Sequence, residues 1–110
     1  MLSSSEIVQI NKFFDKGKLV NKSSLEFAVS SVNKSKDWIT QLAYLLRSII
    51  VDHIFEDGNK RTGAAIFVAY CRVHKKAYDI YKIDLVIRDL IQKNRTDIKI
   101  IRRMIKNAII

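Results

Sequence analysis

The sequence predicts an all-α fold, a compact bundle of about six helices with a short flap before the second. Three observations carry this. The chain has no Pro and only three Gly in 110 residues, so breakers and turn clusters are few. Apolar residues recur at helical spacing over long stretches rather than alternating. One run, Gly63–Cys71, is apolar nearly all round, the pattern of a helix at the centre of a bundle. The length suits one domain over residues 1–110, and a hydrophobic fraction of 48% argues against disorder.

The elements follow in order. Ser3-Ser4-Ser5-Glu6 offers N-caps for a first helix with Ile7, Ile10 and Phe14 on one face, ended by Gly17. Lys18–Ser23 is a polar connection interrupted by Leu19-Val20, read as an extended flap. Ser24 is the expected cap of a second helix carrying Leu25, Ala28, Val29 and Val32. A third starts near Ser35, with Trp38, Leu42, Leu45, Leu46 and Ile49 as a stripe widened by Ile39, Ala43 and Ile50. The polar stretch His53–Gly58 interrupts it, and a fourth helix spans about Asn59 to His74. A fifth covers roughly Ile83 to Lys93, with Ile83, Val86, Ile87, Leu90 and Ile91 inward. A sixth, from about Thr96, turns Ile98, Ile101, Ile105 and Ala108 inward and a basic face outward.

A formal charge of +9 implies attraction to something acidic: nucleic acid, a nucleotide, an anionic surface or an acidic protein. The single Cys71 has no partner for an internal disulfide and sits in an apolar run, which suits structural filler and a cytoplasmic setting. The opening residues lack a basic n-region and an apolar h-region, so no secretory signal is expected. No apolar stretch reaches membrane-spanning length without a charge, so no membrane partner is expected.

The chemistry is concentrated in His53–Thr62, H-I-F-E-D-G-N-K-R-T. A polar loop here feeds the N-terminus of a buried helix, where unpaired N–H groups and a partial positive charge favour phosphate. An imidazole ordinarily titrates near neutrality, so His53 suits a general base toward a hydroxyl. Gly58 lets the backbone approach a phosphate, and the N–H groups that follow can cradle it. Arg61 can fork onto phosphate oxygens, while Lys60 acts as a point charge. Asp57 supplies the hard oxygen that Mg²⁺ takes when phosphates and water complete its shell. Ile54 and Phe55 are the expected anchors of the loop in the core.

Each residue also has an ordinary structural reading. A His after a helix commonly partners the helix dipole, Asp-Gly-Asn is a common turn, and Lys-Arg is commonly surface. Cations at a helix start oppose its dipole, however, and the whole set at this spacing is better explained as a site. Elsewhere the structural reading prevails. Asp52 and Glu56 are expected to be solvated, His74 at the surface, and Trp38 and Tyr70 in the core. Lys99, Arg102, Arg103 and Lys106 are expected to form a solvated face, with a partner surface as the alternative.

His53, Phe55, Asp57, Gly58, Asn59, Lys60 and Arg61 resemble the Fic/Doc (Fido) motif, His-x-Phe-x-acidic-Gly/Ala-Asn-Gly/Lys-Arg. Lys after Asn, followed by Arg-Thr, is similar to the Doc ("death on curing") branch. The resemblance implies that His53 activates a target hydroxyl, Asp57 holds Mg²⁺, and Asn59 and Arg61 hold phosphates of ATP. Fic enzymes carry Gly where Lys60 stands and a further Arg where Ala64 stands, and they transfer AMP. Doc toxins lack both, bind the nucleotide reversed and transfer phosphate to a Thr of a translation elongation factor. The resemblance therefore implies a Doc-like protein kinase toxin, with a Fic-type AMP transferase as the alternative on the same scaffold. Some Fic proteins hold themselves inactive through Ser/Thr-x-x-x-Glu-Gly/Asn. None of the three Glu fits, since Glu6, Glu26 and Glu56 are followed by Ile7, Phe27 and Asp57. The resemblance implies instead a separate antitoxin, and the +9 charge would suit an acidic one. A family member without catalytic activity and a non-enzymatic basic helical module are further alternatives. The module leaves the clustered loop unexplained, and without helix-turn-helix spacing a specific nucleic-acid partner is not expected.

Overall fold

The computed structural model describes residues 2–35 and 37–110. Six α-helices account for the architecture: α1 Ser4–Lys12, α2 Lys22–Lys34, α3 Trp38–Leu46, α4 Asn59–Val73, α5 Ile80–Gln92 and α6 Ile98–Ala108. A π-helical segment, Arg47–Val51, continues α3. The expected all-α class is what the described residues form. None of their helices is long and apolar enough to cross a membrane.

Local chemistry sets most helix starts. Ser3 and Glu6 make a capping box: the Ser3 hydroxyl accepts from the Glu6 N–H at 3.2 Å, and Glu6 Oε1 accepts from the Ser3 N–H at 3.0 Å. Asn21, Asp37, Asp79 and Asp97 cap α2, α3, α5 and α6 through their side-chain oxygens. The expected Ser24 cap is therefore replaced by Asn21, which accepts from the Ser24 N–H at 3.3 Å. A free Ser24 hydroxyl then turns to Asp52 instead. Likewise α3 starts at Trp38 rather than near Ser35, because the Asp37 carboxylate supplies its cap, and α5 starts at Ile80 rather than Ile83 because Asp79 precedes it. The first helix stops at Lys12, before Gly17, whose left-handed turn (φ +71°) completes the connection.

The α4 helix is the hub. It packs against α1, α3, the π-helical segment and α5, burying Ile66, Phe67, Tyr70 and Cys71. Its approach to the π-helical segment is close: a Cβ on Gly63 would lie 2.7 Å from Ile50 Cδ1. Enclosure is not complete, because Ala64, Ala65 and Val68 are half-buried along a trough between Phe14 and Ile80. Phe14, expected inside, is correspondingly 38% exposed. The buried stripe of α5 is Ile83, Val86, Ile87 and Leu90, whereas Ile91, also expected inside, flanks it and is exposed. Trp38 is half-buried and stacks on the exposed His74 ring at 4.7 Å between centroids.

The outer face of α6 is basic at Lys99, Arg103 and Lys106, but Arg102 departs from that face. Its Nη2 meets Asp37 Oδ2 at 2.9 Å, so one carboxylate both caps α3 and ties it to α6. Partial burial opposes ionisation of Asp37. The Thr40 hydroxyl, the Ile39 N–H and Arg102 outweigh it, so the carboxyl titrates below its usual range. A depressed folded-state pKa contributes stability that is present above the unfolded value and lost as pH falls through the folded one. Asp37→Ala should therefore lower stability at neutral pH by about 1–2 kcal/mol, chiefly the loss of a cap. In denaturant melts the difference from the parent should shrink once pH drops below ~4.

Candidate functional site

The loop joining the π-helical segment to α4 is held from inside, from α1 and from the flap. Ile54 and Phe55 are fully buried, as expected of anchors. Asn59, in the first turn of α4, is also buried and closes the loop on itself. Its Oδ1 accepts from the Phe55 N–H at 3.1 Å and its Nδ2 donates to the Phe55 carbonyl at 2.9 Å. The flap pairs along the same stretch, with Leu19 opposite Phe55 in an antiparallel bridge. Val20 N–H donates to Ile54 O at 2.7 Å and Glu56 N–H to Lys18 O at 2.9 Å.

From α1, the fully buried Asn11 reaches the far end of the loop. Its Nδ2 donates to the Asp57 carbonyl and to Thr62 Oγ1, both at 3.0 Å, and its Oδ1 accepts from the Gly17 N–H at 2.8 Å. Asn11 was not among the sequence candidates. The available signal is an amide one helical turn after Ile7, on the face that otherwise carries apolar residues. Removing it strands a hydroxyl, a carbonyl and an N–H together. Asn11→Ala should cost about 1–3 kcal/mol by chemical denaturation.

These constraints bring His53, Asp57, Gly58, Asn59, Lys60 and Arg61 around one cleft of about 340 Å³, walled by Phe14. Its floor is the N-terminus of α4. Gly58 stands there in the left-handed region (φ +76°) and no side chain caps the helix, whereas the other five α-helices all have a side-chain cap. Unpaired first-turn N–H groups and the positive end of the helix dipole thus open onto the cleft. A Cβ on Gly58 would lie 3.0 Å from Asn11 Nδ2 and 3.2 Å from Asp15 Cβ, so space as well as φ calls for glycine.

His53 is exposed at the rim, with φ +55°. For a non-glycine residue that conformation costs roughly 1–3 kcal/mol, and it persists only where the surroundings over-determine it. Lys60 and Arg61 are exposed, and neither is in an ion pair among the described residues. Asp57 is exposed too, with Oδ1 accepting from the Gly58 N–H at 2.8 Å.

The donor set tests which ions fit. Among the described residues no group of three or more His, Cys, Asp or Glu could enclose a metal. One exposed carboxylate beside an anion cradle suits Mg²⁺, which keeps waters and shares its shell with phosphates. Asn59 is buried and its amide clamps the loop, with Oδ1 and one of its two Nδ2 hydrogens taken by Phe55, while its backbone N–H belongs to the uncapped first turn of α4. Of the residues expected to be solvated, Glu56 pairs only with exposed Lys18 at 3.8 Å, but Asp52 accepts from the Ser24 hydroxyl at 2.6 Å.

A family model described as "Fic/DOC family" matches residues 5–71, from α1 through the loop and most of α4. No curated protein and no solved structure matched.

Proposed function

The chain belongs to the Fic/DOC family, whose members are generally nucleotide-transferring enzymes, and we propose that it is a Doc-type protein kinase acting from ATP and Mg²⁺ on a Thr or Ser hydroxyl of a protein target. One observation carries the reading: the uncapped N-terminus of α4 and the imidazole of His53 share a cleft with Asp57, Lys60 and Arg61.

The residues divide the work. His53 takes the proton of the incoming hydroxyl as its oxygen attacks phosphorus, and exposure at the rim leaves it open to a protein-borne group. Backbone N–H groups after Gly58 hold phosphate oxygens, Arg61 adds a fork of donors and Lys60 a point charge. Asp57 offers its carboxylate to Mg²⁺, which when bound neutralises charge developing on the phosphates. Positioning and electrostatics supply most of catalysis in phosphoryl transfer, and a loop clamped by Asn11, Asn59 and the flap meets that need.

Phosphate rather than AMP is favoured by Lys60 and Ala64, which stand where AMP-transferring relatives carry Gly and Arg. A translation elongation factor, the target in the Doc branch, is the candidate target, in keeping with a cytoplasmic protein. An acidic antitoxin is the candidate inhibitor, since the +9 charge would steer its approach. The test is to incubate the protein with Mg²⁺, cell extract and ATP labelled at the α- or the γ-phosphate.

A further inference from the structure

His53 holds a strained backbone at the rim of an open cleft, so something outside the cleft must fix it. The contacts that do so come from the end of the flap and the start of α2. Ahead of His53, the Asp52 carbonyl accepts from Asn21 Nδ2 at 3.4 Å. Behind it, the Ile54 carbonyl accepts from the N–H groups of Val20 at 2.7 Å and Asn21 at 3.2 Å. Asn21 thus grips the chain on both sides of His53 while its Oδ1 caps α2. The Asp52 side chain is tied as well, accepting from Ser24 Oγ at 2.6 Å, and Ser24 Oγ lies 2.8 Å from Ser48 Oγ.

Proton counting gives this chain a direction. The one hydroxyl proton of Ser24 goes to the carboxylate, which has none to give when ionised, so Ser48 donates to Ser24. Ser48 is buried in the π-helical segment, so the relay runs from the core outward to the residue preceding His53. A π-helical turn shifts the register of the residues after it, and here Asp52 N–H closes that turn on the Arg47 carbonyl at 3.0 Å.

We propose that Asn21, Ser24, Ser48 and Asp52 are positioning residues for His53, presenting its imidazole to the cleft from the N-terminus of α2. The catalytic part rests on His53 being the base, whereas the conformational part does not. None of the four lines the cleft, so they act through His53 rather than on the nucleotide.

The test compares Ser24→Ala with Ser24→Thr, which keeps a hydroxyl, and with Asp52→Ala, using two readouts. The first is the NMR signal of the His53 imidazole, with His74, the chain's other His, as internal control. The second is steady-state transfer. In Ser24→Ala and Asp52→Ala the His53 resonance should shift or broaden while His74 stays in place. kcat should fall about 10–10²-fold with the KM for nucleotide little changed, as a misplaced reactive group implies. Ser24→Thr should restore both, and the Ala double variant should fall no further than either single one, since the residues act as one unit. Unchanged His53 resonances in folded Ser24→Ala and Asp52→Ala would overturn the proposal. A displaced His53 signal with full transfer would uphold the positioning and sink His53 as the base instead.

Discussion

His53→Ala should abolish group transfer while leaving nucleotide binding nearly intact. Loss of a general base costs about 10²–10⁴-fold when nothing replaces it. Among the residues lining the cleft the other His, Cys, Asp or Glu is Asp57, which is proposed for Mg²⁺ rather than for the proton. Nucleotide binding is expected to survive because the cradle is backbone: the first turn of α4 stays in place through Asn59 and Asn11, neither of which contacts His53 by hydrogen bond. The truncation also removes little packing, as His53 is exposed. Asp57→Ala should show the opposite split, weakening the Mg²⁺-dependent part of binding. Calorimetry with ATP, with and without Mg²⁺, beside a transfer assay on a protein target separates the two. Full activity of His53→Ala on that target would remove His53 from the mechanism.

How much of this was legible in the sequence depends on how far apart the interacting residues lie. Helices were legible because their apolar stripes are local and periodic: Ile66, Phe67 and Tyr70 declare a buried helix within one window. The cleft was legible because its parts are contiguous from His53 to Arg61. What holds those parts was not. Asn11 reaches Asp57 across 46 positions and Ser24 reaches Asp52 across 28, and neither pair leaves a periodic trace. The π-helical segment was hidden for a different reason. Ser48-Ile49-Ile50-Val51 continues an apolar pattern that an α-helix would also satisfy, and only the bond from Asp52 N–H to the Arg47 carbonyl distinguishes the two. Asn59 shows the converse hazard. Its place in the motif suggests a ligand, yet a buried amide must also satisfy its own groups, and Phe55 takes its oxygen and one of its two Nδ2 hydrogens.

The transferred group is where two side chains should decide the outcome. Lys60 lines the cleft beside Gly58, in the position where an AMP-transferring relative leaves a glycine-sized space. A phosphate cannot occupy the volume of a lysine stem. Ala64 lies one helical turn further on, facing a trough it shares with Arg61 and Ile80, where a second guanidinium would otherwise reach phosphate oxygens. Without that fork the β- and γ-phosphates lose their clamp, and the nucleotide is expected to lie with its γ-phosphate toward His53. In the proposed kinase reaction, in-line attack by the target hydroxyl would then form the new P–O bond, break the bond to the leaving ADP and pass the proton to the imidazole. The target should gain label from γ-labelled ATP and none from α-labelled ATP. Lys60→Gly with Ala64→Arg should lose the kinase reaction and gain weak AMP transfer. The trough is open enough to take an arginine, and the glycine costs the helix only about 1 kcal/mol, so a thermal melt should find the double variant folded. Label from the α-position appearing on the target with the unaltered chain would assign it to AMP transfer, and label from neither position would count against transfer from ATP.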